Sequence, residues 1–198
     1  MEMFIGKIIS SIVQIALFAL IPFTWWLISA RQKQNFLEWI GLKKFEPRKE
    51  TAVSILLVTL LFLLIGTFTL HMLKDVETAT SEFKGLGFRA IPAIIVYAVF
   101  NTSFPEEVFF RGFLLKRMSD TWGFGIANTI QSLIFGLIHG FMFIAQTGFI
   151  RSFVVIVFTS TIAWFMGYIN EKKADGSIIP SWIIHAAANI FSAILSCL

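Results

Sequence analysis

Long runs of apolar residues alternate along this chain with short polar connections, and the runs have the length of membrane-crossing helices, which need about 20 such residues. The first runs from about Phe4 to Ile28, and Lys7 and Gln14 are the strongly polar side chains inside it. Trp25 and Trp26 stand near its end, where amphipathic rings favour the membrane interface. The run is too long for the apolar part of a signal peptide and no small-x-small site closes it, so it reads as a retained helix. The second run, Thr51 to Met72, is nearly all Leu, Val, Ile and Phe. The third begins near Arg89 and passes through Ile91–Phe104 into a polar patch at Pro105–Arg111. The fourth is Phe124–Ala145, the fifth Phe149–Ile169 and the sixth Ser177–Leu198. The pattern predicts an all-α, polytopic transmembrane bundle of about six spans. It forms a single integral-membrane domain over 1–198, with its polar motifs in a core at about 90–195.

Charge orients the bundle. Residues 31–50, 111–120 and 170–176 hold 11 of the 16 Lys and Arg side chains. Basic residues gather on the cytoplasmic side, so six helices put the 31–50 connection inside and both termini outside. Asn35–Leu42 within that connection is amphipathic and reads either as a surface-lying helix or as a plain loop. Composition agrees: 57% of the 198 residues are hydrophobic and 14% charged, with a mean hydropathy of +0.79. That excludes a disordered chain, a nucleic-acid-binding domain and a disulfide scaffold. The single cysteine, Cys197, leaves no internal disulfide and no cysteine-based zinc cage.

Ionisable side chains inside apolar spans are costly and point to function. Three patches qualify. In the first, Glu106 and Glu107 sit among four phenylalanines. Glu107 and Arg111 are four apart and share a helical face, whereas Glu106 is rotated by about 100°. One carboxylate is thus neutralised while the other is left for acid–base work, where burial beside a second acid raises its proton affinity. A Glu–Arg pair at a wet helix end is the bland alternative. In the second patch, Phe135 and His139 are four apart, and Gly136 and Gly140 form a Gly-x-x-x-Gly that permits close helix packing. In the third, His185 and Asn189 project together across three alanines. Each histidine alone reads more simply as a hydrogen-bonded packing residue. His71, at the end of the second run, needs no special explanation. Together, a carboxylate pair, two histidines and an asparagine from three helices would require several coincidences under packing alone.

At these residues the chain resembles the CPBP (CAAX protease and bacteriocin-processing, or Abi) family of intramembrane proteases. Its pattern is matched by Glu106-Glu107-x-x-x-Arg111, Phe135-x-x-x-His139 and His185-x-x-x-Asn189, within roughly residues 90–195. The resemblance implies hydrolysis of a peptide bond inside the bilayer. Eukaryotic relatives remove the last three residues of prenylated CAAX proteins, and prokaryotic ones are linked to bacteriocin maturation and self-immunity. For this chain it implies an endopeptidase in the cell membrane, as a multi-pass protein of a prokaryotic plasma membrane, acting on a peptide or membrane-protein substrate.

The mechanism expected from these residues is of the glutamic type. Glu106 and His139 hold and deprotonate a water, His185 and Asn189 donate to the oxyanion, and Glu107 with Arg111 and Phe135 supports them. No metal is favoured, because a carboxamide is a poor zinc ligand and a good oxyanion donor. A zinc version would use Glu106, His139 and His185 and leave a fourth position for water. Two readings of other classes use the same residues: a non-catalytic immunity or scaffold protein that binds a peptide or partner, and a small proton-relaying transporter, which the absence of an inverted repeat disfavours. Counted from the predicted helix starts, His139 lies about 24 Å and His185 about 12 Å along their helices. They meet Glu106 only where a helix tilts, starts late or breaks, as at Pro105.

Overall fold

The computed structural model describes residues 2–46 and 48–197, and among these every regular element is helical. Leu198, the expected end of the sixth run, lies outside the described residues. Helix α1 (Glu2–Ser29) is followed by the short α2 (Phe36–Trp39) and by α3 (Lys49–Met72). Two 3₁₀ turns, Ser81–Phe83 and Gly87–Ala90, lead into a long helical tract. That tract comprises α4 (Ile91–Val96), a π-helical stretch Tyr97–Ser103, α5 (Phe104–Glu107), a second π stretch Val108–Leu115, and α6 (Lys116–Lys173). Helix α7 (Ile179–Cys197) is the last described element.

Among the described residues, four segments have the length and composition to cross a membrane: Glu2–Ser29, Lys49–Met72, Gly87–Lys173 and Ile179–Cys197. The third is not a straight rod. Gly123 (φ 75°, ψ 160°) and Gly148 (φ 73°, ψ 176°) occupy a backbone region that is essentially reserved for glycine. The chain turns at both. Beyond Gly148 it doubles back, so that limb 149–173 runs antiparallel against limb 124–147. The contacts give the register: Asn128 Nδ2 donates to the Trp164 carbonyl at 2.9 Å, Gly136 lies against Ser160, and Gly140 against Ile156 and Ser152. A Cβ at Gly136 would collide with Ser160 Oγ and stand 2.6 Å from the Ile156 carbonyl oxygen, so glycine is what lets the limbs touch.

The apolar side chains divide into two sets. Phe158, Ile162, Met166 and Ile184 are buried, with Val58 and Phe62 of α3 packed over them. Leu17, Leu20 and Ile28 of α1 and Leu57 and Leu64 of α3 are exposed. Water would not support so many exposed large hydrophobics on long helices, whereas lipid does. The molecule is a multi-pass membrane protein.

The Asn35–Leu42 stretch is neither a plain loop nor a freely lying surface helix. Asn35 caps α2 by accepting from the Glu38 amide at 2.9 Å. Trp39 and Ile40 are buried against Val108, Phe113 and Ile178. The Gly41 carbonyl accepts from the Ile178 amide at 2.9 Å, so this turn clamps the start of α7.

Candidate functional site

Pro105 shapes the first wall of the site. Proline has no N–H to give and its ring crowds the carbonyl four residues back. The tract accommodates this with wider π turns on both sides of α5. Hydroxyls take up carbonyls five residues earlier: Ser103 Oγ donates to Ala98 O at 2.6 Å and Thr102 Oγ1 to Tyr97 O at 3.2 Å. π turns inside α-helices are frequent at functional sites. Here they carry Glu106 and Glu107 to the face that meets α7.

Glu107 and Arg111 are wholly buried and joined at 3.0 Å, Oε1 to Nη1. The same Oε1 lies 2.9 Å from His185 Nδ1. A carboxylate beside a guanidinium is ionised and only accepts, so Nδ1 carries the proton and donates. In the neutral ring Nε2 is then the acceptor nitrogen, and it faces Glu106 Oε2 at 3.8 Å. His185 therefore stands between the two glutamates, hydrogen-bonded to one and close to the other. The helical wheel around Glu106 shows Thr102, Ser103, Phe109 and Phe110 and cannot show His185, which approaches from another helix.

Phe135 joins the three helices. Arg111 lies over its ring, with the guanidinium carbon 4.5 Å from the centroid, within cation–π range. The His139 ring is 4.3 Å from it, and His185 meets it edge-on at 6.0 Å. His139 Nδ1 is 2.8 Å from the Phe135 carbonyl oxygen, which can only accept. Its Nδ1 is therefore also protonated and its Nε2 free. Both histidines present the same tautomer.

Asn189 is held differently. Its Nδ2 donates to Thr102 Oγ1 at 2.8 Å and Ser103 Oγ at 3.1 Å, which engages both amide hydrogens. These bonds, with Trp182 Nε1 donating to Val99 O at 2.9 Å, tie α7 to the first π stretch. Asn170 ties limb 149–173 to α7 by donating to Ser181 Oγ at 2.7 Å and accepting from the Ser181 amide at 3.1 Å. Thr102, Ser103, Trp182, Asn170 and Ser181 went unassigned in the sequence. Their signal there is only that they are polar residues in apolar helices.

Glu106, His139, His185 and Asn189 all line one cavity of about 790 Å³, whose remaining wall is mostly apolar. Glu107, Arg111 and Phe135 support it from behind. Among the described residues no three His, Cys, Asp or Glu side chains are grouped closely enough to hold a metal ion. Glu106 and His185 approach each other, and His139 is not drawn in as a third ligand.

The profile of the family described as Type II CAAX prenyl endopeptidase Rce1-like matches residues 88–191, just over half of the chain. No curated protein and no solved structure matches it. The matched segment contains both glutamates, Arg111, Phe135, both cavity histidines and Asn189, which are the side chains that the fold gathers around one cavity, and the chain belongs to this Rce1-like family of CAAX prenyl endopeptidases.

Proposed function

We propose that this chain is an intramembrane endopeptidase of glutamic type, in which Glu106 and His185 activate a water held between them. The observation that carries the reading is His185, with Nδ1 on Glu107 and Nε2 3.8 Å from Glu106. That separation is too long for a direct hydrogen bond and suits one water bridging both acceptors. The water's lone pair then faces the cavity and the scissile carbonyl carbon. As the oxygen attacks, Glu106 takes the proton. The tetrahedral intermediate breaks its C–N bond, and Glu106 returns the proton to the leaving amine. Glu107, held ionised by Arg111, keeps His185 in the tautomer whose Nε2 accepts, as an orienting carboxylate does for a catalytic histidine.

This division of roles differs from the one drawn from motif spacing. His185 replaces His139 beside the water. Asn189, with both hydrogens engaged, serves first to position α7. His139 stays on the cavity wall, where its ring borders the bound peptide.

Substrate reaches the site from the bilayer. We infer that Gly123 and Gly148 are the corners between crossings, so that tract Gly87–Lys173 spans three times and the protein six times. The mostly apolar cavity suits a peptide or membrane protein presented from lipid. The test uses detergent-purified protein and a panel of quenched-fluorescence peptides. Cleavage by the wild type, lost in Glu106→Gln with the fold intact, supports the enzyme. A folded wild type that binds these peptides without cutting any supports the scaffold reading instead.

A further inference from the structure

Helix α1 lies wholly outside the segment matched to the family, yet it carries two side chains that a lipid-facing helix does not need. Lys7 and Gln14 are seven residues apart, which places them within about 20° of each other on the helix and about 10 Å apart along it. Polar groups at such positions are costly unless they face a partner or a hydrated space. Both line a second, smaller cavity of about 370 Å³, and Glu106 forms part of the wall of that cavity as well. Glu82, Tyr97, Asn101 and Thr102 complete its polar lining, beside the apolar Phe18, Ala79 and Pro105. Glu106 therefore stands at the junction of two spaces, one large and mostly apolar, the other smaller and richer in polar groups.

The outer end of the smaller space is built, not incidental. Lys7 Nζ pairs with Glu82 at 2.5 Å and lies 5.1 Å from the Tyr97 ring centroid. Glu82 sits on the 3₁₀ turn Ser81–Phe83, which is anchored by the fully buried Phe83 and by a 2.9 Å contact of Thr80 Oγ1 with Ser196 Oγ of α7. The deeper end is fixed by Asn101, whose Nδ2 donates to Ser10 Oγ of α1 at 2.8 Å. Hydrolysis consumes one water per bond cut, and the large cavity offers that water a mostly apolar path shared with the substrate.

We propose that the space between α1 and the 73–90 connection is a water-access chamber, which admits the hydrolytic water to Glu106 from beside the substrate cavity and not through it. It rests on the proposed hydrolytic role of Glu106. The Lys7–Glu82 pair marks its outer mouth, Gln14 lines its middle and Glu106 closes it. Water thus reaches the carboxylate while the peptide occupies the other cavity.

Accessibility is testable without turnover. In a Cys197→Ser background, which removes the only native cysteine, Gln14→Cys and Val13→Cys are each placed in proteoliposomes and treated with a small, charged thiol reagent. Val13 is 52% exposed on the lipid side of the same helix turn. A thiol ionises and reacts only where water reaches it, so Gln14→Cys is expected to react at least about tenfold faster. Equal rates, or no reaction at Gln14→Cys, overturn the chamber. In the active enzyme, Gln14→Phe fills the space and is expected to lower kcat about tenfold with KM unchanged. A raised KM at unchanged kcat means that the space holds peptide, and overturns the proposal. Rapid labelling of Gln14→Cys in a protein that cuts nothing upholds the chamber as a hydrated space and removes the hydrolytic role instead.

Discussion

His185 Nδ1 and Glu107 Oε1 stand 2.9 Å apart although their residues are 78 positions apart in the chain. The contact joins α7 to the proline-interrupted tract at a point where Glu107 is wholly buried. It makes Glu107 serve two partners through one oxygen, since Arg111 Nη1 reaches the same Oε1 at 3.0 Å. The ion pair fixes the charge of the carboxylate, and the charge fixes the tautomer of the histidine. Structure and chemistry are thereby coupled at one atom.

The two glutamates are expected to fail differently. Glu106 is about one-fifth exposed and only near His185, so Glu106→Gln should leave the thermal midpoint in detergent unchanged and abolish cleavage. Glu107→Gln removes the counter-charge of a buried arginine, a loss that costs about 3–5 kcal/mol. It should lower the midpoint clearly and remove activity as well, because Gln no longer enforces the Nδ1–H tautomer. A stable and inactive Glu107→Gln would exchange the roles assigned to the two residues.

Much of this was legible because it is local. The Glu107–Arg111 pair follows from a spacing of four, as does the contact of Phe135 with His139. The corners at Gly123 and Gly148 fall immediately before Phe124 and Phe149, where the apolar runs begin. What was hidden depends on which helix faces which. No spacing rule tells that His185 meets Glu107, or that Thr102 and Ser103 occupy the hydrogens of Asn189. The π turns were hidden as well. Pro105 announces a disturbed helix, but a kink, a break and a widened turn are all consistent with one proline in a sequence. The burial of Trp39 and Ile40 was missed for a related reason: an amphipathic stretch has the same pattern whether its apolar face meets lipid or protein.

The close pairing of limbs 124–147 and 149–173 predicts a strong effect from one methyl group. In Gly136→Ala the new Cβ would meet Ser160 Oγ and stand 2.6 Å from the Ile156 carbonyl oxygen, a backbone atom that cannot rotate away. Overpacking of this kind costs about 1–3 kcal/mol. The limbs must separate, and His139, three residues on, moves with them. Both thermal stability and cleavage rate should fall, whereas Gly125→Ala, which meets nothing within 4 Å, should change neither. Equal tolerance of both substitutions would contradict the limb register.

Metal content separates the two forms of the chemistry. Glu106 and His185 approach to 3.8 Å, and a zinc site would need His139 to join them. The proposed mechanism needs no such movement. Purified protein is expected to hold less than one zinc per chain by elemental analysis, and chelators are expected to leave cleavage intact. Stoichiometric zinc that is lost together with activity in His139→Ala would show that His139 moves in as the third ligand.

Asn189 and Thr102 give a test of positioning against direct participation. Asn189 donates to Thr102 Oγ1 at 2.8 Å and to Ser103 Oγ at 3.1 Å across the α7 interface. Hydrogen bonds between membrane helices are worth about 0.6 to 1.7 kcal/mol by double-mutant cycle. Asn189→Ala and Thr102→Val should therefore each destabilise the protein modestly, and the pair should cost less than the sum of the two, with a coupling energy in that range. If Asn189 acts by holding α7, Thr102→Val should also depress kcat in part, since it frees one of the two anchors, and the double variant should be little worse than Asn189→Ala alone. If Asn189 instead leaves the hydroxyls to donate to the oxyanion, removing Thr102 Oγ1 releases a hydrogen for that purpose. Thr102→Val would then keep or raise kcat while still lowering stability. Measured side by side, the sign of the Thr102→Val effect on kcat decides between an anchor and an oxyanion donor.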